Sequence, residues 1–160
     1  MNILIRKATL GDLKTIQNFT QRLNKDQHDT FDKSINSDFA LSKSGKKYLQ
    51  EVIDVNGVIF LAEKESIPIG YIVAVLESVG DFRLIDNYCE IDFMWVNKKY
   101  RNKEIGKRLM KKVEEWCRDK NIRRMRIVVD AANKKALKLY KSQLFKEYDI
   151  ILEKDLIDRK

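Results

Sequence analysis

Cysteine, histidine, proline and glycine are scarce in this sequence of 160 residues, which has two Cys, one His, one Pro and six Gly. Cys89 and Cys117 match neither a disulfide framework nor a zinc-binding spacing. We interpret both as small buried apolar residues. The single histidine, His28, lies in a polar stretch without a cysteine partner, so a metal site is not expected.

Long apolar runs and linkers are also missing. No run approaches the roughly 20 apolar residues that a membrane-spanning helix requires. Charges occur within the first seven residues and no small-residue cleavage site follows, so we expect no secretory signal. There is no repeat, low-complexity tract or linker rich in Pro, Gly or Ser, so residues 1–160 are expected to form one domain. Together these absences predict a cytoplasmic protein.

Positive charge is plentiful and concentrated in one segment. The chain has a formal net charge of +8, and residues 98–126 alone have 13 Lys and Arg against four acids, a net +9. The preceding residues 77–92 have five acids and one base. A positive surface suits nucleic acid, an anionic membrane or a phosphorylated ligand. A uniformly basic nucleic-acid binder would not need an acidic segment directly before the basic one.

The hydrophobic periodicity predicts an α/β protein with a mixed sheet. Thr9 and Asp12 form a capping signal for a helix that carries Leu13, Ile16 and Phe19 on one face. A second helix is expected around residues 48–53, a basic helix from Ile105 and a short one over 133–140. Strands are expected in NILIRKA, GVIFLAEKE, IPIGYIVAVLE, YCEIDFMWV and RMRIVVD, with one or two more in FKEYDIILEK. The strands around the basic helix imply a parallel crossover, and the hairpins imply antiparallel pairing.

The junction between the YCEIDFMWV strand and the basic helix is the most informative segment. A helix N-terminus leaves about four backbone N–H groups without partners, and the helix dipole favours an anion there. Arg101, Lys103 and Lys107 add positive charge, and Gly106 permits close approach of a ligand. The same residues also fit an ordinary solvated turn capped by Asn102. On physical grounds alone the two interpretations remain open.

The segment from Arg101 to Gly106, RNKEIG, resembles the acyl-CoA loop of GNAT-type N-acetyltransferases. The family pattern is Gln or Arg, two residues, Gly, one residue, then Gly or Ala. Arg101 and Gly106 match, whereas Glu104 stands where the first glycine is usual. Three further blocks resemble the family in the right order, so that the resemblance extends along nearly the whole chain: IRKATLGDL, IPIGYIVA and NKKALKLY.

The resemblance implies a mixed, mainly antiparallel central sheet with a central parallel strand pair splayed at the CoA site, flanked by about four helices. It implies acetyl-CoA as co-substrate and direct transfer of the acetyl group to an amine. The loop amides would bind the CoA pyrophosphate, and the backbone near Met94 would contact the thioester carbonyl. The cofactor contacts implied are Met94, Trp95, Val96, Arg101, Asn102, Lys103, Glu104, Ile105, Gly106, Lys107, Asn133 and Tyr140.

Three side chains are candidates for the chemistry. Glu90 and Asp92 share a strand face, and either could take the ammonium proton; we expect Glu90 to be the base, and a solvated acid is the alternative for each. The family uses a Tyr at the position of Tyr140 as general acid and an Asn at that of Asn133 to hold pantetheine. For Tyr140 the alternative is packing against Leu137 and Leu144.

The acids in residues 77–92 predict a cationic acceptor, such as a polyamine, an aminoglycoside or a protein amine. Its pocket is expected from Gln27–Asn56 and Ser78–Tyr88, with His28 either exposed or beside it. Glu104 places CoA affinity in question, and Leu144 replaces a glycine that usually ends the last helix. Two rival functions therefore stay open: a non-catalytic acyl-CoA sensor and a basic nucleic-acid-binding module. We expect no nucleic acid or membrane partner, and a homodimer is left open.

Overall fold

The computed structural model describes residues 2–81, 83–154 and 156. Within this part of the chain, five strands form one sheet in the order β1-β2-β3-β4-β5. Neighbours pair antiparallel except β4 and β5, which are parallel. The strands are β1 (Leu4–Lys7), β2 (Gly57–Lys64), β3 (Ile67–Ser78), β4 (Asn87–Val96) and β5 (Met125–Ile127).

Four α-helices cover the sheet in the described residues, which confirms the predicted mixed α/β class. They are α1 (Leu13–Thr30), α2 (Lys43–Glu51), α3 (Ile105–Asp119) and α4 (Lys134–Ser142). A short π-helical turn (Val52–Asn56) joins α2 to β2. Helix α3 connects the parallel strands β4 and β5, so the crossover expected from the sequence is present. A parallel pair needs a connection of about this length, which is usually a helix.

The apolar stripes of the helices place them on opposite faces of the sheet. Ile105, Leu109 and Val113 of α3 are buried in a cluster with the strand residues of one face. Ile16 and Phe19 of α1, with Leu49 of α2, are buried in a second cluster on the other face. Strand β4 therefore separates an α3/α4 side from an α1/α2 side, and it contributes residues to both.

The start of α1 follows the predicted capping signal. Thr9 N–H donates to Asp12 Oδ2 at 2.9 Å, which satisfies a donor ahead of the helix. The same carboxylate accepts from Arg6 Nη1 at 2.8 Å, and Arg6 also contacts Glu63 of β2. Because Glu63 is buried, this charge network fixes the end of β1 against β2 and the helix start.

The β2–β3 hairpin turns through two residues with left-handed backbones. Glu65 and Ser66 have φ of 50° and 63°. A two-residue turn of this kind matches the right-handed twist of the paired strands, although Asn or Gly would adopt it with less strain. The hairpin expected at ESIPIG is therefore confirmed.

The strands predicted in FKEYDIILEK are wrong, because Phe145–Lys154 forms no strand. Its alternating pattern suits a strand, but β5 is only three residues long and offers little edge for a ladder. Side-chain contacts hold the segment instead: Arg83 donates to Tyr148 Oη, and the Arg124 guanidinium lies 5.7 Å from the Tyr148 ring centroid. The parallel pair consequently lies at one edge of the described sheet.

Helix α4 ends as a glycine-terminated helix does, despite lacking the glycine. Leu144 has a φ of 67°, and Phe145 N–H donates to Tyr140 O at 3.1 Å. This six-to-one hydrogen bond is typical of a left-handed helix end. The end of the helix is therefore well defined, contrary to what the absence of glycine suggested.

Candidate active site

A bulge in β4 opens the sheet at the expected place. Val73 pairs with Phe93 and Ala74 pairs with Ile91, so Asp92 is an extra residue without its own cross-strand partner. On the other side β4 pairs with β5 only over Cys89–Ile91. The pairing with β5 ends at Ile91, and among the described residues no strand lies beside the second half of β4 on that edge. The bulge lies two residues before Met94, close to the position predicted.

Backbone direction along β4 identifies the groups that face this gap. Asn97 N–H donates to Ile69 O of β3 at 2.8 Å. Because alternate residues of a strand point their backbone groups to opposite edges, the groups of Trp95 also face β3 and those of Met94 and Val96 face the gap. The Arg101 Nε–H donates a hydrogen bond to Val96 O at 2.8 Å, so this carbonyl already has a partner. The Met94 N–H is thus directed into the gap.

The N-terminus of α3 lies beside the same gap. The first helical hydrogen bond runs from Arg108 N–H to Glu104 O at 3.0 Å, so the N–H groups of Ile105, Gly106 and Lys107 precede the helical ladder. Asn102 and Glu104 have left-handed backbones, with φ of 60° and 62°. Glu104 is the N-terminal flanking residue of the helix, so Asn102 is not its cap.

Gly106 lies between β4 and α4 at the entrance to the gap. A Cβ built on Gly106 would come 3.6 Å from Leu139 Cδ2 and 3.8 Å from Met94 Sδ, which are ordinary contacts. Its φ is not in the left-handed region. The fold alone therefore does not require glycine at this position in the first turn of α3.

The basic side chains of the loop contact protein groups. Besides Val96 O, Arg101 lies 3.7 Å from Asp26 of α1. Lys107 Nζ lies 2.8 Å from Glu104 Oε1. Lys103 Nζ lies 5.6 Å from the ring centroid of Tyr100. Arg101 thus ties the loop to α1 and to the end of β4, a role the sequence did not predict.

The carboxylates of β4 lie on the α1/α2 side of the sheet. Glu90 pairs with Val75 and neighbours Arg126 of β5, whose Nε lies 4.0 Å from Glu90 Oε2. Asp92 accepts a hydrogen bond from Tyr48, which packs in the cluster of the α1/α2 face, so the common face predicted for Glu90 and Asp92 is present despite the bulge. Tyr71, Val73 and Val75 of β3 are buried on this same face. Glu77 is the next alternate residue of that strand, so its side chain also points to this face.

The surroundings of Asp92 shift the pKa of its carboxyl upward. Although part of its surface remains exposed, desolvation by the surrounding protein raises the pKa of its carboxyl. The charges of Glu90 and Glu77 raise this pKa further, whereas a hydrogen bond from the Tyr48 hydroxyl lowers it. A raised carboxyl pKa is typical of a group that exchanges protons near neutral pH.

Tyr140 and Asn133 lie on the α3/α4 side. Tyr140 is buried in the same apolar cluster as Met94 and Leu139, and its ring centroid is 5.8 Å from that of Phe145. Burial raises the pKa of Tyr140 to about 12. Asn133 caps α4, because its Oδ1 accepts from Ala136 N–H at 3.1 Å.

Packing of Tyr140 involves Phe145 rather than Leu144, which is 87% exposed. An open cavity of about 2010 Å³ adjoins β5, α4 and the C-terminal segment, and its wall includes Tyr140 and Tyr88. Asp92 and Gly106 do not line it. The cavity therefore adjoins the predicted site without coinciding with it.

The remaining residues singled out in the sequence have structural contacts. Cys89 and Cys117 are buried and unpaired. His28 lies in the last turn of α1 rather than in a loop; it is half-buried, and its Nδ1 is 2.9 Å from Ile35 O of the α1–α2 connection. Of the loop Ser78–Tyr88 predicted to line the acceptor pocket, Phe82 lies outside the described residues.

Sequence reasoning missed the contact of Tyr48, and it implied Trp95 as a cofactor contact, whereas the Trp95 side chain is buried on the α1/α2 side. Tyr48 falls in the helix expected around residues 48–53, yet its hydroxyl donates to Asp92. Trp95 is 6% exposed, and its Nε1 is the buried side-chain nitrogen that lacks a hydrogen-bond partner within the described chain. Its ring packs 4.9 Å from that of Phe19, with the Arg22 guanidinium 5.8 Å away. No local pattern indicates either arrangement, because the partners come from distant segments.

A protein-family model matches most of this chain. The model of the acetyltransferase (GNAT) family matches residues 20–144, which is well over half of the chain. The chain belongs to this family. The matched range contains the bulge, the loop and Tyr140. A search among curated proteins gave no significant match.

Solved structures share the fold of this acetyltransferase at low sequence identity. The aminoglycoside N-acetyltransferase AAC(6')-Iy in complex with CoA is 16% identical, with a TM-score of 0.76 over 98% of this chain and 96% of that chain. A GCN5-related N-acetyltransferase from Ralstonia eutropha JMP134 is 14% identical, with a TM-score of 0.79 over 96% and 99%. A possible acetyltransferase from Clostridium difficile 630 is 26% identical, with a TM-score of 0.74 over 99% and 100%.

Family and fold together establish this protein as an N-acetyltransferase with acetyl-CoA as its co-substrate. No helix in the part of the chain that the structure describes is long and apolar enough to cross a membrane. The residues at the gap fit the co-substrate chemically: the α3 N-terminus offers backbone donors to phosphate, and the Met94 N–H offers one to a carbonyl.

Proposed function

We propose that this acetyltransferase transfers the acetyl group directly from acetyl-CoA to a cationic primary amine. One observation carries the proposal: β4 presents backbone donors on its open edge beside α3 and carboxylates on its α1/α2 face, with the bulge at Asp92 between them. A thioester on one side and an ammonium on the other can then approach each other at the bulge.

The donor side would be built from backbone groups. The N–H groups of about Asn102 to Lys107 bind the CoA pyrophosphate, since a helix N-terminus favours an anion. The Met94 N–H binds the thioester oxygen, whose negative charge grows as the amine attacks. Trp95 and Val96 would continue this strand along the pantetheine arm, and Asn133 at the start of α4 would hold that arm. Gly106 leaves room for the phosphates.

The chemistry requires three proton transfers around one acyl transfer. Asp92 takes a proton from the ammonium, directly or through a water, and the freed nitrogen lone pair forms the C–N bond. The C–S bond then breaks, and the CoA thiolate takes a proton from the Tyr140 hydroxyl or from solvent. The nitrogen loses its second proton to solvent as the amide forms, and Tyr140, if it was the donor, regains a proton from solvent. We prefer Asp92 to Glu90 as the base because Glu90 neighbours the Arg126 guanidinium.

The acceptor would be cationic because three carboxylates face the same side. Glu77, Glu90 and Asp92 lie on the α1/α2 face, and the basic partner near them is Arg126. A field of this sign raises the local concentration of cations. The structurally similar AAC(6')-Iy, which was also solved with the bisubstrate analogue CoA-S-monomethyl-acetylneamine, is by name an aminoglycoside enzyme. Polyamines, aminoglycosides and protein amines all satisfy the charge requirement.

Two unpaired, buried cysteines suit a reducing compartment, so we place the enzyme in the cytoplasm. The rival that we retain is an acyl-CoA sensor, because Glu104 puts a carboxylate beside the phosphate-binding amides. Its ion pair with Lys107 lessens that repulsion and favours an enzyme that binds CoA productively.

A panel of primary amines matched in size but differing in charge tests the acceptor. Acetyl-CoA consumption, followed as free thiol, should be fastest with dicationic and polycationic amines. Glu77→Gln should raise KM for these amines severalfold and leave KM for monoamines nearly unchanged, because it removes one charge of the acidic face. Glu115→Gln, on α3 and paired with Lys112, is the matched control. Reaction with only neutral or anionic amines would refute the cationic acceptor, and acetyl-CoA binding without any thiol release would support the sensor.

A further inference from the structure

We propose that Tyr48 is a positioning residue that holds the Asp92 carboxylate in place for proton transfer from the acceptor. The inference rests on the function proposed above and extends it to a residue of α2 that touches neither the loop nor the CoA side.

The Tyr48 ring is fixed by aromatic contacts, so its hydroxyl has a defined direction. Its centroid lies 6.3 Å from that of Phe93 in an edge-on arrangement, with an angle of 86° between the planes. The centroid of the Phe39 ring also lies 6.3 Å from that of Tyr48. The hydroxyl donates to Asp92 Oδ2. A half-buried ring in contact with two other aromatic rings loses little further entropy when its hydroxyl makes a hydrogen bond.

The bulge explains why Asp92 needs such a partner. As the extra residue of β4, Asp92 has no cross-strand neighbour to restrict its side chain, and part of its surface is exposed. A carboxylate can accept about four hydrogen bonds, so one from Tyr48 orients the group and leaves capacity for the acceptor proton. Tyr48 thereby supplies the orientation that the strand itself does not.

Because charged groups surround Asp92, the Tyr48 hydroxyl also influences the pKa of the Asp92 carboxyl. The groups facing it are Glu77 from β3, Glu90 from β4 and Tyr48 from α2, while Arg126 of β5 neighbours Glu90. The two carboxylates and desolvation disfavour the charged form of Asp92, and the hydroxyl favours it. Arg22 of α1 lies on this face but packs over Trp95. Loss of the hydroxyl should therefore raise the pKa of Asp92.

The test is Tyr48→Phe, which keeps the ring and removes the donor. The pKa of Asp92, measured by carbon-13 NMR of its carboxyl and assigned with Asp92→Asn, should rise by about one unit. In the pH dependence of kcat/KM for the best amine of the panel, the acidic limb should move upward by the same amount. Activity on that limb should fall about tenfold, and activity at the plateau should change little.

Two controls separate positioning from structural support. Tyr71→Phe removes a buried hydroxyl that donates to Thr20 Oγ1 at 2.8 Å, so it should lower Tm and leave the Asp92 pKa unchanged. In the Asp92→Asn background, Tyr48→Phe should have no further effect on kcat/KM.

The NMR titration needs no substrate, so it distinguishes the two ways of failing. If no amine reacts but Tyr48→Phe raises the Asp92 pKa, the proposed acceptor chemistry is wrong and the link between the two residues stands. An unchanged Asp92 pKa in Tyr48→Phe would overturn the inference, even if the enzyme is active. The inference would also be wrong if Tyr48→Phe lowers kcat/KM equally in the wild-type and Asp92→Asn proteins.

Discussion

Glu104 Oε1 lies 2.8 Å from Lys107 Nζ, so the residue that replaces the usual glycine of the acyl-CoA loop forms an ion pair within the first turn of α3. The Glu104 backbone is left-handed, with a φ of 62°. Glycine adopts this conformation without the steric penalty of a Cβ, which gives a physical reason for the family pattern. The loop thus holds a residue with a Cβ in a backbone conformation that favours glycine.

Glu104→Gly should stabilise the fold and tighten CoA binding. Relief of the left-handed backbone should raise the free energy of unfolding by about 1 kcal/mol. Removing the carboxylate frees Lys107 for phosphate, so CoA should bind severalfold more tightly; the gain is modest because the pair is exposed. Calorimetric titration with CoA and urea unfolding measure the two effects.

Glu65→Gly is the matched control for this prediction. Glu65 also has a left-handed backbone, with a φ of 50°, but lies in the β2–β3 turn away from the loop. It should raise stability similarly without changing CoA affinity. CoA binding weakened severalfold in Glu104→Gly alone would mean that the carboxylate has a positive role in binding.

Gly106→Val should abolish CoA binding with little loss of stability. The Cβ position makes only ordinary contacts with Leu139 and Met94, so the added methyl groups mainly fill the space beside the helix N-terminus. Gly45→Ala provides the contrast, because its Cβ would come 2.0 Å from Phe39 O and should destabilise the fold. If a folded Gly106→Val protein binds CoA normally, the CoA phosphates do not bind beside Gly106.

Tyr140→Phe should lower turnover by roughly 10- to 100-fold while folding and CoA affinity hardly change. The pKa of about 12 keeps the hydroxyl protonated across pH 6 to 9, so it can donate throughout that range. Solvent becomes a poorer proton donor as pH rises, so the loss should be largest above neutral pH. Unchanged turnover from pH 6 to 9 would leave Tyr140 as a packing residue against Phe145.

Asp12→Asn should destabilise the protein at neutral pH and not in strong acid. The hydrogen bond from Arg6 holds the pKa of Asp12 at about 2, below its unfolded value of about 3.9. A depressed carboxyl pKa contributes stability above pH 4, and this contribution is lost as pH falls toward 2. With screening near the surface, the loss should be about 1–2 kcal/mol at pH 7.

Urea unfolding at pH 7 and pH 2.5 measures this difference, with exposed Asp54→Asn as control. An equal loss for Asp12→Asn at both pH values would show that the carboxylate acts through packing rather than charge.

The elements that local patterns encode were predictable. The stripe Ile105, Leu109 and Val113 fixes α3, because a period of 3.6 residues identifies a buried helix face wherever the helix packs. The loop before it was also predictable, since its motif and its helix N-terminus are adjacent in the chain. Phe145–Lys154 shows the limit: its alternation describes a strand, but a strand also needs a partner edge that the pattern does not contain.

Contacts between distant segments were not predictable. Tyr48 and Asp92 are 44 positions apart, and only the packing of α2 over the bulge brings them together. Arg101 turns toward Asp26 because α1 crosses the end of β4. The choice between Glu90 and Asp92 depended on these contacts, since spacing alone places both carboxylates on one face.

The most direct test of the account is intact-mass analysis of the enzyme and its amine in the same reaction. With acetyl-CoA alone, the protein mass should stay unchanged, because Cys89 and Cys117 are buried and take no part in the transfer. With a polycationic amine added, the amine should gain one acetyl group for each free CoA thiol released, and Asp92→Asn should slow that gain. An acetylated protein that passes its label to the amine, or thiol release without an acetylated amine, would contradict direct transfer.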